Sequence, residues 1–171
     1  MGKDERWSVG RVGYARPLAL VLGRPALAAA ALRLAGEAVR SFFYPQFENA
    51  LLKRRPVYFV DHPLDASVPF DPARVVKYLE FAKLWMATFY RLGKAYGRLA
   101  DDLLEAYVHS IRGLYADAGS VYKAAHTSTI RPAGNYSLRF ALIHAADPHL
   151  NCVPSLHVLI VVANWKLASL L

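Results

Sequence analysis

Near the end of the chain, Pro154-Ser155-Leu156-His157 follows Asn151-Cys152-Val153 and runs directly into the apolar stretch Val158-Leu159-Ile160-Val161-Val162. Proline and serine at this point read as the start of a helix. The first backbone N–H groups of a helix have no partner within it and face whatever lies in front, which suits an anion. His157 falls in that first turn, where an imidazole can donate a proton. Types and spacing together describe a turn that suits an anion such as phosphate and carries a proton donor.

A second stretch lies upstream, Tyr122-Lys123-Ala124-Ala125-His126-Thr127-Ser128-Thr129-Ile130-Arg131-Pro132. Arginine presents a planar fork to two phosphate oxygens, and lysine adds a mobile point charge. Pro132 fixes the chain direction just after the arginine. In a chain with 21 Lys and Arg residues such a pair is expected by chance, and its weight comes from preceding the Pro-Ser-Leu-His turn. His126 lies inside this stretch and could touch a phosphate. His144, Asp147 and His149 invite a metal reading, but their spacing fits no strong ligand motif. His62 and His109 read as structural or solvated, and Cys152, the one cysteine, as a small filler at a helix start.

Together the two segments resemble the type 2 phosphatidic acid phosphatase superfamily, which includes lipid phosphate phosphatases, bacterial acid phosphatases, vanadium haloperoxidases and phosphosphingolipid synthases. That family carries K-x6-R-P, then P-S-G-H, then S-R-x5-H-x3-D. Here Lys123-x7-Arg131-Pro132 stands for the first motif and Pro154-Ser155-Leu156-His157 for the second. Leucine in place of the motif glycine is similar to a branch that includes relatives of inositol phosphorylceramide synthase. The first motif is longer by one residue, which on a helix rotates the arginine by about 100° relative to the lysine. Either an irregular turn compensates or Lys123 is not a ligand. No Ser-Arg pair occurs anywhere in the chain, so the third motif is expected beyond Leu171.

The resemblance implies covalent catalysis: a histidine of the third motif attacks phosphorus, an aspartate orients it, and the second-motif histidine protonates the leaving alcohol. Carried over residue by residue, His157 is the general acid. Ser155 and the neighbouring backbone at Leu156 hold phosphate oxygens, while Lys123 and Arg131 neutralise its charge. No metal or other cofactor is required. The implied substrate is a phosphorylated lipid or another phosphomonoester. The attacking histidine has no counterpart, so the chain alone is expected to be inactive. The alternatives are a lipid phosphotransferase of the same superfamily, favoured by Leu156, and a non-catalytic helical membrane protein.

The elements that must position these residues are helical. Residues 1–40 read as a basic N-terminus and an apolar helix, Pro17 to Ala35, in which Arg24 and Arg33 make a membrane span marginal. An interfacial helix or a tilted one with a snorkelling arginine fits as well. Five prolines, with aromatic residues such as Phe42, Phe43, Tyr44, Phe47, Tyr58 and Phe59, mark 41–72 as an irregular connector, with Lys53-Arg54-Arg55 as a membrane-surface anchor or a solvated cluster. From 73 to about 116, apolar residues recur every three or four positions, with a break expected near Gly97 to Asp101. Residues 73–171 thus read as a partial phosphatase-type helical core.

No strand-like alternation of useful length is seen, so the fold class is all-α, a membrane-associated helical bundle incomplete at its C-terminus. A net charge of +8 with 55% apolar residues favours membrane lipids over nucleic acid as the acidic partner. The inner membrane of the cell is the expected location.

Overall fold

The computed structural model describes residues 13–64, 67, 71–72, 81–130 and 137–169, and within them the chain is mostly helical. In order, the elements are α1 (Ala15–Leu22), α2 (Pro25–Ala38), a π-helical turn (Val39–Phe43), α3 (Tyr44–Leu52) and β1 (Val57–Phe59). After these come α4 (Phe81–Tyr96), a 3-10 turn (Gly97–Ala100), α5 (Asp101–Ala124), β2 (His126–Ser128), α6 (Leu138–Ala146) and α7 (Leu156–Ser169).

The apolar N-terminal segment is two helices. Pro25 occupies the first turn of α2 and Arg24 caps it in an extended conformation, which turns the chain sharply after α1. The Arg24 guanidinium pairs with Asp101 at the start of α5 and donates to the Gly93 carbonyl at 3.3 Å. The charge that weakens a spanning helix is thus an internal tie between α1–α2 and α4–α5.

Helical structure also continues through Leu52, twelve residues into the segment expected to be irregular. Pro45 does not break it, because the π-helical turn Val39–Phe43 directly before it widens the helix at that point and the chain stays helical into α3. The break near residue 97 is present, and Gly97 makes it with a φ of +58° that glycine adopts without strain.

α5 is the central element. Its apolar positions Leu104, Tyr107, Val108 and Ile111 are buried against Leu27, Ala30 and Leu34 of α2 and Phe89 of α4, and Ile160 and Leu167 of α7 close the cluster. The three- and four-residue steps on α2 and α5 place these side chains on one face of each helix. A second cluster, Ala118, Tyr122 and Leu156, joins the end of α5 to the start of α7. β1 and β2 pair in parallel, Val57 with His126 through Phe59 with Ser128. Three residues per strand are too few to show as alternation.

Among the described residues, no single helix is long and apolar enough to cross a membrane. Ala15–Leu22 and the continuous helix Pro25–Leu52 pass that test only as a pair bent by 115°.

Candidate active site

α5 delivers the first segment and α7 carries the second, and short hydrogen-bonded strands hold them together. After Ala124 the chain leaves the helix, with Ala125 fully extended, and enters β2. The stretch between Lys123 and Arg131 is therefore not helical over residues 125–128. The rotation of about 100° that an extra residue brings on a helix does not apply across 125–128, where side chains on an extended chain alternate between faces. Lys123 is exposed in the last turn of α5, and its charge reaches Glu37 on α2. Arg131 and Pro132 lie outside the described residues.

Thr127 ties β2 to the approach of the Pro-Ser-Leu-His turn. Its N–H donates to the Leu150 carbonyl and its carbonyl accepts from the Cys152 N–H, both at 3.1 Å. Its hydroxyl accepts from the Val153 N–H at 2.7 Å and donates to the Val153 carbonyl at 3.0 Å. Asn151 adds a second tie: its amide donates to the Phe42 carbonyl at 3.1 Å, and its Oδ1 lies 2.8 Å from Nδ1 of the fully buried His126. That Nδ1 also lies 3.1 Å from the Leu150 carbonyl, which only accepts, so Nδ1 carries the hydrogen. His126 is thus part of the scaffold behind the turn.

The turn itself is anchored from below. Tyr122, completely buried, donates its hydroxyl to the Pro154 carbonyl, across the cis Val153–Pro154 bond. The Leu156 side chain packs in the cluster with Tyr122 and Ala118, so only its backbone N–H is available to an anion. The Ser155 hydroxyl accepts weakly from the Val158 N–H at 3.5 Å, capping α7. Its own proton remains to donate, and the first-turn amides and the positive end of the helix dipole face the same way.

His157 is half-buried in that first turn. Burial pushes its pKa below the ordinary histidine value, while the charge of Asp147 pulls it up. Asp147 also accepts the His149 N–H at 3.0 Å, and its other oxygen stands 3.9 Å from His149 Nδ1. His149 adopts the left-handed conformation with φ of 60°, and its Nε2 pairs with the Thr129 hydroxyl at 2.8 Å. Among the described residues no three His, Cys, Asp or Glu side chains are grouped to hold a metal.

Sequence reasoning missed Tyr122, Thr127, Thr129 and Asn151, none of which has a local signal. Asp147 and His149 were visible only as an unconvincing metal set.

The lowered pKa of His157 has a consequence for stability. The unfolded chain takes up a proton near pH 6.5, and the folded chain takes it up only at lower pH. Stability is therefore complete above about pH 6.5 and falls as the pH drops through that value towards the folded pKa. Glu37, held low by hydrogen bonds from Ser41 and Arg40, adds a second loss below its ordinary value of 4.5. Thermal melts between pH 8 and pH 5 are expected to show the upper part of this decline, and His157→Gln to flatten it. An unchanged slope in the variant would contradict the assignment of that part to His157.

Comparisons with models of protein families, with curated proteins and with solved structures return no match.

Proposed function

We propose that this chain carries the phosphate-holding and leaving-group half of a membrane-associated phosphomonoesterase of the phosphatidic acid phosphatase type, acting on a lipid phosphate. The observation that carries the reading is the tethering of the Pro154-Ser155-Leu156-His157 turn, from Tyr122 below and Thr127 alongside, which presents the α7 N-terminus and the His157 imidazole together. In the proposed reaction Ser155 and the first-turn amides hold non-bridging phosphate oxygens, and His157 donates a proton to the leaving alcohol. A phosphate dianion beside His157 offsets the effect of burial, because a nearby negative charge favours the imidazolium. The attacking histidine of the resembled mechanism has no counterpart in these residues.

Membrane association is supported by apolar side chains left exposed: Val158, Val161, Val162 and Trp165 on α7, and Leu32, Val39, Phe43, Phe47 and Leu51 along α2 to α3. The second series leads into Lys53-Arg54-Arg55, where Arg54 and Arg55 pair with Glu48 and the exposed Lys53 helps leave a net positive end suited to an anionic interface. Leu156 favours a second reading, a lipid phosphotransferase of the same superfamily, in which the acceptor is a lipid alcohol instead of water.

Titration of the chain with inorganic phosphate, followed through the His157 imidazole by NMR, tests the site directly. The ring resonances are expected to move, the His157 pKa to rise and Ser155→Ala to weaken the response. Saturating phosphate that leaves His157 unperturbed would remove the basis for the proposal.

A further inference from the structure

At the other end of α5, three arginines converge on one cleft. It has a volume of about 520 Å³ and lies between α1 and the junction of α4 with the 3-10 turn, lined by Arg16, Leu20, Gly23, Arg24, Tyr90 and Arg98. Its floor is set by close packing: a Cβ on Gly93 would stand 2.5 Å from Leu20 Cδ1, so α1 rests almost directly on the α4 backbone. Asp101 is shared behind the arginines, paired with Arg24 and, at 3.3 Å, with Arg98. Three guanidinium charges less one carboxylate leave +2. Arg16 has no ion-pair partner among the described residues, and the Arg98 side chain is 71% exposed, so both can turn their forks to a ligand. Arg24, only 13% exposed and held by Asp101 and the Gly93 carbonyl, is a fixed point between them.

We propose that this cleft binds a phosphate group, free or as the head of a lipid, at a site separate from the Pro-Ser-Leu-His turn. Forked donors around a residual charge of +2 match a tetrahedral dianion better than a single carboxylate. Asp101 and Tyr122 are 21 positions apart on α5, about 30 Å at the helical rise. Ala19 and Leu20 line the cleft beside the arginines and supply apolar contacts that a lipid would use and a free ion would not.

The test compares the chain with Arg16→Gln/Arg98→Gln, which spares Arg24 and its tie to Asp101, and with Arg33→Gln/Arg40→Gln, which removes the same charge from α2 and the π-helical turn. Binding is measured to inorganic phosphate, to acetate, and to phosphatidylcholine vesicles with and without phosphatidate. In the affinity for phosphate or for phosphatidate vesicles that persists in a His157→Ala background, the cleft variant is expected to lose about tenfold or more, since it removes charge-assisted contacts, while the Arg33→Gln/Arg40→Gln variant stays close to the parent. Loss on phosphate identifies the free ion as sufficient; loss confined to phosphatidate vesicles identifies the lipid headgroup. The proposal is overturned if neither probe binds, if acetate binds as well as phosphate, or if both double variants lose equally. Phosphate binding that survives in the cleft variant but disappears in His157→Ala also overturns it, and places the ion at the turn instead.

Discussion

Gly119→Ala is expected to destabilise the protein, and Gly113→Ala, six residues earlier in the same helix, to stabilise it. A Cβ on Gly119 would stand 2.4 Å from Ser41 Cβ, 2.7 Å from its Oγ and 3.0 Å from its Cα. The last of these is backbone, so rotating the serine side chain does not relieve the clash and α5 must move away from the π-helical turn. Forcing a methyl into such a contact costs about 1–3 kcal/mol or more, against which alanine's helical preference returns about 1 kcal/mol. At Gly113 nothing lies within 4 Å of the added carbon, so only the favourable part remains, about 0.5–1 kcal/mol.

In a chain of this size, 1 kcal/mol moves the melting temperature by about 2–4 °C. The two variants should therefore melt on opposite sides of the parent, and shifts of the same sign would refute the packing argument. The crossing also matters for the candidate site. Phe42, next to Ser41, accepts the Asn151 amide, and Tyr122 lies one turn beyond Gly119. Gly119→Ala should therefore weaken the phosphate response of His157 as well.

The second large effect concerns catalysis. On the proposed reading, the 171 residues alone turn over neither p-nitrophenyl phosphate nor phosphatidate, because no residue is placed as the attacking histidine. When a polypeptide carrying the S-R-x5-H-x3-D segment supplies that group, His157→Ala and Arg131→Ala should each lower kcat by about 10²- to 10⁴-fold. Proton transfer to the leaving group and stabilisation of phosphoryl charge are each worth that much. Activity indifferent to both changes would sink the assignment. Turnover by the chain alone, abolished by His157→Ala, would contradict the division into halves. Its loss in His149→Ala would then point to the Asp147–His149 pair as the attacking group.

Several features were legible because their cause is local. The break at Gly97 follows from a glycine able to take positive φ beside a run of acidic residues that suits a helix start, and α5 does begin at Asp101 with Asp102 in its first turn. The α7 start at Leu156 follows from Pro154 and Ser155 before an apolar run. Where reading failed, the deciding partner was far away or the element was too short. Arg24 looked like an obstacle in an apolar helix until Asp101, 77 positions on, was seen to hold it. Pro45 looked like a breaker because the π-helical turn that accommodates it is only five residues long. Leu156 offers an anion only its backbone N–H, because its side chain packs against Tyr122, 34 positions earlier.

The sequence by itself determined the helical class, the helical periodicity with its break near Gly97, and the chemical types gathered at residues 122–132 and 151–157. These follow from periodicity and from side-chain chemistry, which neighbours along the chain express. Only the tertiary structure decided that the two segments meet through Thr127, Asn151 and Tyr122, that Lys123 is exposed at a helix end near Glu37, and that three arginines share a cleft at the far end of α5. Each of these is a contact between residues distant in sequence. Hydrogen bonds and ion pairs are short-range, so which ones form depends on how the helices pack.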